Sequence, residues 1–250
     1  EQVNLHREML KRLFSVVPTT FRNTELIYSN EIARQAAGLG FSVILAEGWE
    51  AVLNNRSAAF LYRAGGAAAG AGAPGMAILL RNHELSDAIA FRFTDVRSPE
   101  FPLTEKSFAR KIAGIGGQFC NLFMDGETFG EHLSAETGIM DFLGAIPEAV
   151  LESSSGFLLP REVLREDARL GGGATAGDLD VPFAISWADE SRDLKPWLGN
   201  AMQQNAHDEL YALENAVKKS GDARLLGDWR KLTTSDHFYY MSTKEGADGA

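Results

Sequence analysis

Cysteine is all but missing from this chain: Cys120 is the only one in 250 residues. A single thiol excludes an intrachain disulfide. Its place inside an apolar stretch fits a reducing compartment, so a cytoplasmic location is expected. No signal peptide is recognisable, and no apolar run is long enough to cross a bilayer, so no membrane partner is expected. Positive charge is also scarce. Lys and Arg number 24 against 34 Asp and Glu, the formal net charge is −10 and the pI is about 5.0. Such a chain is a poor match to a phosphate backbone, so no nucleic acid partner is expected. The glycine-rich stretch 64–75 lacks the Lys-Ser/Thr ending of a phosphate loop, which argues against nucleotide binding. The five histidines are scattered and none form a His-x-x-x-His pair, so no metal and no cofactor are expected. There is no initiator methionine either. The chain starts at Glu1, and residues 4–14 already carry Leu5, Met9, Leu10, Leu13 and Phe14 at helical spacing, which suggests the remainder of something longer.

What is present is a sizeable apolar fraction, 45% of residues, enough for one large globular domain with a core. The stretch that organises the rest is 121–132. An apolar run over 119–124 reads as a buried strand and stops at Asp125. Gly126, Glu127, Gly130, Glu131 and His132 follow. A second run, 41–46, also ends in an acid, Glu47, followed by Gly48, Trp49 and Glu50. Strands that deliver acids into glycine-punctuated loops are the way barrel enzymes present catalytic groups, although a polar surface loop gives the same local pattern. Two strand-end carboxylates are what glycoside hydrolysis requires, with about 5–5.5 Å between them in a retaining enzyme.

Other elements follow in order. Pro18 ends the first helix, and Asn23, Thr24 and Glu25 mark either a polar pocket or a helix start. Residues 29–39 read as a helix stopped by Gly40, 58–62 and 76–80 as strands, and Ser86 or Asp87 as the cap of a helix running to 93. Thr104 caps a helix to 115. Helices are expected at 133–143 and 148–152, with Glu131 and His132 either at a helix N-terminus or near the acid. A short strand at 157–159 precedes a helix at 161–166 opened by Pro160. Residues 170–180 read as a second glycine-rich loop and 181–187 as extended. Asp193 caps a long helix to 219, Gly221 stops it, and Asp222 caps another to 232. This order predicts a barrel-type α/β domain over 1–190 and a C-terminal helical extension over 191–250.

These markers in this order resemble glycoside hydrolase family 57, in particular its α-amylase-like members. They are the stretches Phe21-Arg22-Asn23-Thr24-Glu25-Leu26-Ile27, Ala46-Glu47-Gly48-Trp49, Leu85-Ser86-Asp87, Asp125 to His132, and Thr234 to Met241. The resemblance implies an incomplete seven-stranded (β/α) barrel and a retaining double displacement on α-glucans or maltooligosaccharides. It implies Glu47 as nucleophile and Asp125 as general acid/base. Glu25, Trp49, Asp236 and His237 would bind substrate. The family's His-Gln-Pro motif is missing, so the chain is expected to lack the first barrel strand, to be poorly soluble alone and to have little activity. Transglycosylation or branching uses the same double displacement. A non-catalytic glucan-binding remnant is a further alternative. A metal-dependent polysaccharide deacetylase with Asp125, Glu127 and His132 as ligands is another. Trp187, Phe238 and Tyr239 could stack on sugars, but aromatic residues at such spacing more often belong to a core.

Overall fold

The computed structural model describes residues 1–65, 75–169 and 175–244. The chain divides into two compact units, Glu1–Phe183 and Ala184–Ala250.

The first unit is α/β. Its strands are β1 (Thr20–Arg22), β2 (Val43–Glu47), β3 (Leu61–Ala64), β4 (Ala77–Arg81) and β5 (Thr175–Leu179), in the sheet order β1-β2-β4-β3-β5. β1, β2 and β4 are parallel, with Arg22 opposite Leu45 and Glu47 opposite Arg81. Their C-terminal ends therefore share one edge of the sheet. β3 runs antiparallel to β4 and parallel to β5, so the sheet is mixed. Every residue of β2 and β4 is buried. This explains why both read as continuous apolar runs rather than as alternating ones. β5 carries an extra residue against β3, where Leu61 pairs with Thr175 and Arg63 with Asp178. Gly177 sits in that bulge at φ +91, a conformation that suits glycine.

Helices α1 (Gln2–Phe14), α2 (Asn30–Gly38), α3 (Glu50–Leu53), α4 (His83–Ala90), α5 (Glu105–Ala113), α6 (Ile139–Glu152) and α7 (Val163–Arg169) complete the unit. α4, α5 and α6 share a core of Leu85, Ile89, Phe108, Ile139 and Phe142. Asn30 ties the start of α2 to the chain just past β5: its backbone N donates to Val181 O at 2.9 Å, its Oδ1 accepts from Val181 N at 2.9 Å, and its Nδ2 donates to Asp180 Oδ1 at 2.6 Å. The segments that follow the two outer strands thus meet.

Several expectations need correction. Residues 119–124 form no strand, nor do 157–159 or 181–187. The glycine-rich stretch 170–180 ends in β5, while 170–174 and most of 64–75 lie outside the described residues. α6 runs unbroken through Pro147, where the sequence suggested two helices. α4 is capped by Asn82, whose side chain accepts from Leu85 N, so Ser86 and Asp87 lie inside the helix instead of at its start. In α1 no residue is buried, and the spacing-derived face leaves Leu5, Leu13 and Phe14 exposed.

The second unit is helical: α8 (Lys195–Leu198), α9 (Ala201–Ala212), α10 (Glu214–Ser220), α11 (Ala223–Leu232) and α12 (Ser235–Tyr239). The long helix expected from residue 194 is broken at Gly199, because Asn200 and Gln203 form a new capping box. Gln203 is fully buried with its amide satisfied. Its Nε2 donates to Pro196 O at 2.7 Å and Phe238 O at 2.9 Å, and its Oε1 accepts from Gly199 N at 2.8 Å and Asn200 N at 3.0 Å. Gly221 at φ +70 and Asp222, which accepts from Arg224 N and Leu225 N, set the α10–α11 turn as the sequence indicates.

Candidate active site

The parallel strands bring Glu47 and Arg81 to one edge in adjacent register. Glu47 closes β2 and its side chain is 0% exposed. Its Oε1 accepts from Gly48 N at 2.9 Å and its Oε2 from Arg81 Nη1 at 3.2 Å. A carboxylate removed from water needs such partners to remain charged. Arg81 also pairs through Nη2 with Asp87 on α4, and its Nε donates to Phe123 O at 2.8 Å. One guanidinium therefore joins β2, β4, α4 and the segment that leads to Asp125.

That segment is extended without belonging to the sheet, and its hydrogen bonds show why. Asn82 N donates to Asn121 O at 2.8 Å, and Asn121 Nδ2 donates to Leu80 O at 3.0 Å. Ser86 Oγ accepts from Phe123 N at 3.2 Å while donating to Asn82 O at 2.7 Å. Side chains of β4 and α4 thus meet backbone groups that a strand neighbour would otherwise satisfy. Cys120, Leu122 and Met124 alternate onto the core of α4, α5 and α6. The apolar run was legible; the absence of a ladder was not.

Asp125 follows at the start of a 3-10 turn, Gly126–Thr128, and is exposed. Glu127 O accepts from Glu131 N at 3.2 Å and His132 N at 2.8 Å, which folds the loop back on itself. Glu131 and His132 cap no helix, since α6 begins only at Ile139. Among the described residues, no three His, Cys, Asp or Glu side chains are grouped so as to hold a metal.

Glu25 lies just beyond the C-terminal end of β1, on the same edge as Glu47. Ile27 N donates to Thr24 O at 2.9 Å, closing a turn whose central residues, Glu25 at φ 52 and Leu26 at φ 48, are both left-handed. Left-handed backbone is costly for such residues, and complete burial of Leu26 offsets it. Trp49, next to Glu47, is half-buried and meets Phe183 edge to face at 6.5 Å. Asp236 and His237 belong to the second unit, where both are exposed in the first turn of α12. Sequence reasoning missed the roles of Arg81 and Asp87. The signal was an arginine as the last residue of an otherwise apolar strand, with an acid six positions on.

The sequence model of glycosyl hydrolase family 57 matches residues 1–172. The chain belongs to glycosyl hydrolase family 57. The same relationship appears in a protein of Methanocaldococcus jannaschii named "Putative alpha-amylase", which is 37% identical over 258 residues. The match covers 99% of this chain and 52% of the relative, so the chain spans about half the length of that protein. The fold resembles the crystal structure of a 4-alpha-glucanotransferase from Thermococcus litoralis, with a TM-score of 0.55 at 14% identity, over 92% of this chain and 32% of that one. Residues 1–172 of the family match contain Glu25, Glu47, Trp49 and Asp125, but not Asp236 or His237. Among the described residues, no helix is long and apolar enough to cross a membrane.

Proposed function

We propose that this family 57 chain carries the site of a retaining glycosidase acting on α-glucans, with Glu47 as nucleophile and Asp125 as general acid/base. The observation that supports this most is Glu47 itself: a wholly buried acid at a strand end, ion-paired to Arg81. A carboxylate in that setting is fixed in orientation before substrate arrives, which favours a near-attack geometry. Asp125, by contrast, is exposed on a loop that closes on its own backbone. A proton donor that must later activate water benefits from that access.

In the first step a carboxylate oxygen of Glu47 bonds to the anomeric carbon as the glycosidic bond breaks. Asp125 gives its proton to the leaving oxygen. In the second step water attacks the same carbon, Asp125 takes the water proton, and the Glu47 carboxylate is released. Glu25 and Trp49 lie near Glu47 in the first unit and would contact the sugar. The test is turnover of an aryl α-maltooligoside by the full chain, with products separated by chromatography. Glu47→Gln should abolish turnover in a folded protein, and azide should rescue Asp125→Ala. Activity retained in both variants would sink the assignment. Longer products in place of shorter ones would make the chain a transferase with the same two acids.

A further inference from the structure

Arg81 faces two carboxylates, and only one of them, Glu47, is the proposed nucleophile. Its Nη1 lies 3.2 Å from Glu47 Oε2, and its Nη2 is paired with Asp87. The three side chains are 5%, 0% and 20% exposed for Arg81, Glu47 and Asp87, so water screens them little. Two carboxylates against one guanidinium leave the cluster a formal charge of −1. The Arg81–Glu47 pair by itself is formally neutral.

From this we infer that Asp87 is a positioning residue for the proposed displacement, acting through Arg81 to keep the nucleophile's surroundings negative. The inference rests on the glycosidase reading of Glu47. In the glycosylation step positive charge builds on the sugar ring. An Arg81–Glu47 pair with no second acid would oppose that charge with a cation held against the nucleophile. The step also consumes the Glu47 charge, because the carboxylate oxygen becomes an ester oxygen as the leaving group departs with the proton from Asp125. Arg81 would then be a buried cation without its first partner, a costly state. Asp87 already holds Nη2, so the Arg81–Asp87 pair remains balanced while the ester exists. The Phe123 carbonyl accepts from Arg81 Nε, the Gly48 amide donates to Glu47, and His83 Nδ1 lies 3.2 Å from Gly48 O. Asp87 is thus an acid that Arg81 holds at the same time as Glu47. Asp87 can take this role because Asn82, and not Asp87, caps α4.

The test compares Asp87→Asn, Asp87→Glu and Arg81→Lys with the parent full chain on an aryl α-maltooligoside. Asp87→Asn should lower kcat by about 100-fold with KM within about 3-fold, the pattern of an interaction that matters in the transition state. Asp87→Glu should recover most of the loss, which a purely structural role for the side-chain shape would not produce. Arg81→Lys, which keeps the charge and loses the fork, should lower kcat about 10-fold and serves if Asp87→Asn fails to fold. An Asp87→Asn enzyme with kcat within about 3-fold of the parent, or an Arg81→Lys enzyme equal to it, overturns the inference while Glu47→Gln still abolishes turnover. A parent chain with no turnover on any α-glucan probe overturns the glycosidase reading, and this inference with it.

Discussion

Arg81 stands opposite Glu47 in the β2–β4 register, and its Nη1 lies 3.2 Å from Glu47 Oε2 with both side chains almost wholly out of solvent. Because Arg81 also pairs with Asp87, its removal strands two acids at once. Removing one partner of a buried ion pair typically costs about 3–5 kcal/mol. Arg81→Met should therefore lower the unfolding free energy, measured by urea titration, by an amount of that order. Adding Glu47→Gln to Arg81→Met should recover part of the loss, since one stranded charge is then neutral. A single variant within about 1 kcal/mol of the parent would show that the cluster is solvated in solution.

Gly48 lies against the end of β4. A Cβ built there would come within 2.2 Å of Arg81 O and 3.0 Å of Ala58 Cβ. The first of these is backbone, so the strand ends must move apart. Gly48→Ala should destabilise the chain by about 1–3 kcal/mol, the usual range for overpacking. It should also cost activity beyond that, because Gly48 N holds Glu47 Oε1. Equal stability and activity in the alanine variant would mean that the two strand ends are looser than this contact requires.

Glu47 at a strand end was legible because β2 is a short apolar run that ends in charge. Local pattern gives the run and its end, and burial on both faces removes the alternation that would have pointed to a half-exposed strand. The α4 boundary was misjudged because Asn82, Ser86 and Asp87 are all good caps, and only the folded chain shows that Asn82 takes the role. The segment before Asp125 passed for a strand because it is a short apolar run that stops at an acid. Its backbone partners, Asn82 N, Ser86 Oγ and Arg81 Nε, come from residues about 40 positions away, and no local rule supplies them. The same limit explains β5, which follows a glycine-rich stretch and bulges at Gly177.

Cys120 gives a probe of that extended segment. Burial pushes its thiol from an ordinary 9.0 up to about 11, because the thiolate is disfavoured away from water. At pH 8 the thiolate is then roughly 100-fold rarer than in the unfolded chain, and iodoacetamide should react slower by about that factor. The sign for stability follows. The contribution is present below the unfolded value near 9 and is lost as pH rises toward 11, because the unfolded thiol ionises first. Fast alkylation of the native chain, timed against a urea-unfolded sample, would mean that Cys120, Leu122 and Met124 do not pack on the α4–α6 core.

Gln203 does for the second unit what Arg81 does for the first. It is fully buried, and its amide joins the end of α8, the cap of α9 and the Phe238 carbonyl in α12, the helix that carries Asp236 and His237. Replacing it by Leu keeps the volume near its own and removes every one of those bonds. Gly199 N, Pro196 O and Phe238 O would be left without this partner, at about 1–3 kcal/mol for each group that stays buried and unsatisfied. Gln203→Glu should also harm, because an acceptor-only carboxylate cannot donate to Pro196 O and Phe238 O. The expected outcome is faster hydrogen exchange at Gly199, Asn200 and the amides of 238–241 in both variants, with the β2 and β4 amides unchanged. Unchanged exchange in 238–241 would mean that α12 is held by its aromatic contacts, Trp197 with Tyr239 and His207 with Phe238, and not by the buried amide.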